Sequence, residues 1–158
     1  MALTVSFIKR IKLLASLTAV FLGVAATTSC GDNDFNDLPR EIQQFISQYF
    51  PGQGVSGFSE SAGTYTVNLD NSASLVFNPS LAWTTVEGNG SPIPQQFLFD
   101  QFPSALYDYI VTTDNLGEVY AVTRNAGVYT VTFHDYIISY NTATGDIQPV
   151  VTGPGANG

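Results

Sequence analysis

The chain repeats itself. Sliding the sequence by 64 residues lays positions 38–69 on positions 102–133 without a gap. Eight of those positions are then identical: Pro39/Pro103, Ile46/Ile110, Val55/Val119, Ala62/Ala126, Gly63/Gly127, Tyr65/Tyr129, Thr66/Thr130 and Val67/Val131. Unrelated sequence would give roughly two matches, so this duplication constrains the fold more than any short motif in the chain. Several of the remaining positions are conservative, among them Leu38/Phe102, Ile42/Leu106, Phe45/Tyr109 and Leu69/Phe133.

Each copy opens with a short amphipathic helix. Ile42, Phe45, Ile46 and Tyr49 follow the i, i+3, i+4, i+7 spacing and form one apolar stripe. Leu106, Tyr109 and Ile110 repeat it after Pro103. Pro39 is tolerated in a first helical turn, where its missing N–H has no partner to lose, and Pro51-Gly52 ends the helix. Burying the first stripe stabilises by about 6–12 kcal/mol gross, before chain entropy is subtracted.

Four short strands are expected in each copy. They lie near 54–60, 63–70, 73–78 and 81–88, then near 117–124, 127–134, 136–141 and 146–151, punctuated by turn residues such as Ala62-Gly63, Asp70-Asn71 and Thr144-Gly145. The second strand of each set alternates. Tyr65, Val67 and Leu69 oppose Thr64, Thr66 and Asn68, while Tyr129, Val131 and Phe133 oppose Thr130, Thr132 and His134. One apolar and one polar face imply an α+β fold, an antiparallel sheet with helices on one side only. The organisation expected is a repeat at 38–88, a linker at 89–101, a second repeat at 102–151 and a flexible tail at 152–158. Within the linker Phe97, Leu98 and Phe99 are too apolar to be idle and are expected to pack against the second helix.

The first 29 residues read as an export address. Lys9, Arg10 and Lys12 precede an apolar run at 13–26, the charged-then-apolar order of a signal peptide. The run is shorter than the ~20 residues of a bilayer span, which counts against the alternative of an uncleaved anchor. The chain's single cysteine, Cys30, follows Thr28-Ser29. That junction resembles a lipobox, in which the cysteine is acylated, although Thr27 stands where Leu is usual. The rival reading of Cys30 is a free thiol; an intrachain disulfide is impossible with one cysteine. Residues 30–37 then form an acidic tether. Asp32, Asp34 and Asn36 have the first spacings of a calcium loop, but Asp37 and Gln43 occupy its diagnostic Gly and Glu positions, so no metal site is expected.

Removal of the signal leaves 13 acidic residues against Arg40 and Arg124. Such a surface cannot neutralise phosphates, which excludes nucleic acid as a partner. Catalytic chemistry is sparse. The mature chain has one histidine, His134, and no lysine, no Cys/His cluster and no phosphate-cradling loop. No cofactor and no enzymatic activity are expected. Tyr107, Tyr109, Tyr136 and Tyr140 could stack on sugar rings, or simply pack.

Leu38-Pro39, Ile42, Phe45-Ile46, Tyr49-Phe50-Pro51-Gly52, Tyr65-Thr66-Val67 and Trp83 resemble the PepSY-like, beta-lactamase-inhibitor-like lipoproteins of Bacteroidetes. Ile93-Pro94 and Phe102-Pro103 fit the same pattern. Ser72-Ala73 replaces a usual Gly, and Ile147 stands opposite Trp83 in the second copy. The resemblance implies tandem helix-plus-four-strand repeats sharing one sheet of up to eight strands. It also implies a lipoprotein held at the outer membrane through its lipid. The expected function is a non-enzymatic module that binds or inhibits a protein or peptide; a glycan-binding accessory lipoprotein is the alternative. The expected working surface is the sheet face without helices, bearing Thr64, Thr66, Asn68, Thr130, Thr132 and His134.

Overall fold

Three helices begin directly after a proline. In the computed structural model, which describes residues 34–150, α1 is Arg40–Tyr49, α2 is Gln95–Gln101 and α3 is Ser104–Thr112. Pro39, Pro94 and Pro103 stand at the N-caps with φ between −51° and −55°. Each caps its helix with its carbonyl: Pro39 accepts from Ile42 and Gln43, Pro94 from Phe97 and Leu98, and Pro103 from Leu106 and Tyr107. The ring fixes φ where the helix needs it and gives up no hydrogen bond. The export segment, Cys30 and the tail 152–158 lie outside the described residues.

Eight strands form one open antiparallel sheet in chain order. They are β1 Val55–Ser61, β2 Thr64–Leu69, β3 Ser74–Phe77, β4 Trp83–Glu87, β5 Val119–Asn125, β6 Val128–Phe133, β7 Ile137–Asn141 and β8 Ile147–Pro149. Each falls inside or within a residue of its expected span. All six residue pairs of β1–β2 recur 64 positions later in β5–β6, down to the bulge between Val55 and Gly57 and its counterpart between Val119 and Ala121. Both hairpins close on Ala-Gly with positive φ at both residues (50° and 79°, then 47° and 81°). That is the turn whose twist suits a two-residue hairpin, and glycine takes the second position without steric cost.

The core lies between the helices and one sheet face. Ile42 and Ile46 of α1, Phe97 and Leu98 of α2, and Leu106 and Ile110 of α3 join Val67, Leu75, Val86, Val122 and Val131 of the sheet in one buried cluster. Phe45 of α1 meets Phe77 of β3 edge-on at 5.1 Å, Phe97 meets Trp83 at 5.0 Å, and Phe102 meets Tyr129 at 5.8 Å.

Two segments carry more local structure than the sequence pattern indicates. The segment before Phe102 contains α2, a helix of its own. Phe97 and Leu98 are fully buried in it, whereas Phe99 is 61% exposed and touches Tyr107 edge-on. Successive helical residues point about 100° apart, so three in a row cannot all face one core. The acidic stretch is also partly folded. Phe35–Asp37 makes a 3-10 turn in which the Asp34 N–H donates to Asp37, and Phe35 packs against the core.

The polar atoms beneath the helices are paired. Trp83 Nε1 donates to Gln101 Oε1 at 2.8 Å, and Gln101 Nε2 donates to the Tyr49 hydroxyl at 2.7 Å, so one glutamine joins α1, α2 and β4. Arg124 lies over the Trp83 ring at 4.3 Å and donates to the Trp83 carbonyl at 2.9 Å.

Burial raises the pKa of Tyr49 above its ordinary 10.0, with the nearby Asp100 carboxylate adding to the shift and the Gln101 bond opposing it. The neutral phenol is therefore the form that the fold favours. Its contribution is fully present below pH 10 and is lost as pH rises through the raised folded-state pKa. Urea titrations between about pH 9 and about pH 11 should show stability falling with pH, less steeply in Tyr49→Phe. Val67 and Val131 are both fully buried. Val67→Ala and Val131→Ala should each cost about 1–3 kcal/mol in chemical denaturation, through lost burial and an unfilled cavity.

Candidate functional site

Among the described residues no helix packs on the second face of the sheet, which is lined mainly by short polar side chains. Strand pairing sets them in rows. Ser59, Thr66, Val76 and Thr85 of β1–β4 continue without interruption as Thr123, Thr130, Ser139 and Gln148 of β5–β8. A parallel row runs Gly57, Asn68, Ser74, Glu87, Ala121, Thr132 and Ile137. Glu87 is the one charged residue in the two rows. Thr66, Thr85, Thr130 and Thr132 are half-buried by their neighbours, while Asn68, Thr123 and Gln148 are exposed.

The residues singled out from the sequence are divided as follows. Thr66 and Thr130 share one row, and Asn68 and Thr132 share the next. Thr64 stands at the hairpin end of β2 opposite Ser61. His134 lies one residue beyond β6, its side chain 71% exposed. None of the six is buried beneath a helix. Thr85 and Thr123 were not foreseen, yet they occupy the middle of the face. Thr85 follows a register shift between Val76 and Phe77 that breaks the alternation of β4, and Thr84 fills the extra position, donating to the Val76 carbonyl.

A cleft of about 430 Å3 opens where this face meets the β6–β7 turn. Thr132, His134, Asp135, Ile137 and Val150 contribute to its walls. The carboxylate can only accept, so His134 donates from Nδ1 to Asp135 Oδ1, at 2.6 Å. Tyr120, the extra residue in the β5 bulge, meets the His134 ring edge-on at 6.0 Å. Tyr136 lies flat on Phe133 at 4.5 Å and is 40% exposed. Burial raises its hydroxyl pKa, with Tyr109 adding to the shift. Of the other tyrosines considered for sugar stacking, Tyr140 is buried against Tyr129, Tyr107 is held against Phe99, and Tyr109 is half-buried.

Among the described residues no three metal-ligating side chains gather, and His134–Asp135 is the one contact of salt-bridge distance, charged on both sides only when the imidazole is protonated. The remaining carboxylates have no cationic partner among them.

No family model matches the chain, and no curated protein matches it. Solved structures do. One is a protein of unknown function from Bacteroides vulgatus, proposed to be periplasmic, with a TM-score of 0.61 and 21% identity over 75% of this chain and 95% of that one. A second, from the same species and assigned to the DUF2874 family, has a TM-score of 0.60 and 23% identity over 72% of this chain and 90% of its own. A third, from Bacteroides thetaiotaomicron, is described as a proposed calcium-regulated periplasmic protein. It has a TM-score of 0.60 and 21% identity, covering 72% and 92%. The fold is shared. At these identities the likeness extends to architecture and no further.

A charge placed on the open face stays in water. Thr66→Arg and Thr130→Arg should each leave stability within about 0.5 kcal/mol of the parent in urea denaturation. The same substitution at Val67 or Val131 should prevent folding.

Proposed function

We propose that the chain is a cell-envelope lipoprotein that captures a protein or peptide on the open face of its sheet and catalyses nothing. One observation carries the reading: all eight strands contribute to a face that no helix among the described residues covers, bearing mainly neutral hydrogen-bonding side chains, with a cleft where it meets the β6–β7 turn. Threonine suits such a surface. It favours strands, and its hydroxyl bonds a partner without a full charge to desolvate. The recurrence of the β1–β2 pairing in β5–β6 supports two tandem copies of a PepSY-like, beta-lactamase-inhibitor-like unit. The description of the structural neighbours as proposed periplasmic proteins supports an envelope location, and the basic-then-apolar start with Ser29-Cys30 supports a lipid anchor at the outer membrane.

The binding test is a cross-linked pull-down from the native envelope. The parent protein should enrich a partner that neither Thr66→Arg nor Thr130→Arg retains. Retention by both variants would move the site to the loops at the sheet ends. The glycan reading has one observation in its favour, the exposed Tyr136 ring beside the cleft. Glycan-array binding that disappears in Tyr136→Ala would replace the peptide reading. For the anchor, mass spectrometry of the native protein should find an acylated Cys30 at the N-terminus. An intact Met1 end, or unmodified Cys30 in a soluble fraction, would contradict it.

A further inference from the structure

We infer that the partner presented to the open face is a basic, extended peptide segment. This rests on the open-face reading and adds the chemistry of its occupant.

Three observations converge on it. First, twelve carboxylates stand against Arg40 and Arg124 between residues 34 and 150. Arg124 is directed onto Trp83, and neither arginine forms an ion pair with a described carboxylate. The field around the molecule is therefore negative, and neither arginine cancels it by pairing with a described carboxylate.

Second, the face is neutral across its width apart from Glu87, so a peptide can lie on the hydroxyl rows without burying unpaired charge. Third, the strand directions bring Asp70, Glu87, Glu118 and Asp135 to one end of the sheet. Asp70 follows β2, Glu87 closes β4, Glu118 precedes β5, and Asp135 lies between β6 and β7. All four are exposed, and the cleft opens at the same end.

A neutral floor with an acidic border at the end where this cleft opens complements an extended chain of uncharged residues flanked by Lys or Arg. Ile137 and Val150 give an apolar side chain of that segment a place to seat. The charge disfavours the other occupants. A second copy would set acid against acid, and polyanions are repelled from the whole surface.

The test uses the full chain and three synthetic peptides with one strand-forming backbone of alternating threonine, the intervening positions being all Lys, all Gln or all Glu. Biolayer interferometry should show binding of the Lys peptide alone. Affinity should fall about tenfold or more as salt rises from about 0.05 M to about 0.5 M. Glu87→Gln with Asp135→Asn should weaken it several-fold at unchanged Tm, and Thr130→Arg should abolish it.

Lys and Gln peptides binding alike, both lost in Thr130→Arg, would overturn the basic partner while leaving the open-face reading intact. Lys-peptide binding that survives Thr130→Arg would mean adsorption elsewhere on the acidic surface and would overturn both. Absence of Lys-peptide binding would overturn the basic partner.

Discussion

The ring of Phe97 holds the structure together. It is fully buried and lies within 6.2 Å, centroid to centroid, of four other aromatic rings: Phe45 and Tyr49 of α1, Trp83 of β4, and Phe102 before α3. Edge-on aromatic contacts of this kind add about 0.5–1.5 kcal/mol each to the gain from burial. They draw the helix of the first half, the central helix and the sheet onto one core. The three helices have only ten, seven and nine residues. All of them are engaged on one side of an eight-stranded sheet, so among the described residues no helix remains to cover the other side.

That one-sidedness explains where the polar groups sit. Under the helices a polar atom must find a partner or cost about 1–3 kcal/mol. Gln101 meets that demand for Trp83 and Tyr49 together, and no buried side-chain nitrogen or oxygen among the described residues lacks a partner. On the open face the constraint is absent, because water serves any hydroxyl that a ligand does not. Threonine is then free to recur across adjacent strands at Thr85, Thr123 and Thr130. The same residue type would be costly one position along β6, at Val131, since a shift of one exchanges the two faces.

Much of this was legible in the sequence. Alternation in β2 and β6 assigned Val67 and Val131 to the core and Thr66 and Thr130 to the opposite face, because strand geometry has a period of two and no competing signal interrupts it. The two stripes after Pro39 and Pro103 located α1 and α3. The third helix was harder to see. Seven residues carry too little periodicity to separate a helix from an apolar linker, and only Pro94 before Gln95 marks its start.

The rows across the face were beyond sequence reasoning for a different reason. Thr85 meets Thr123 only because β4 pairs with β5, and that pairing spans α2 and α3. Local pattern does not encode register across such a connection. The cleft likewise depends on Val150 returning beside Ile137, which alternation does not signal.

The central claim is that the face without helices is where a partner sits. Site-specific photo-crosslinking in the native envelope tests it most directly. A short-reach crosslinker at Thr85 or Thr123 probes the middle of the open face, and the same group at Ser47 probes the outer side of α1, where a second cleft lies beside Phe35. The account predicts one discrete adduct of the same partner from Thr85 and Thr123, with none from Ser47. A discrete adduct from Ser47 with silence at both threonines would contradict it.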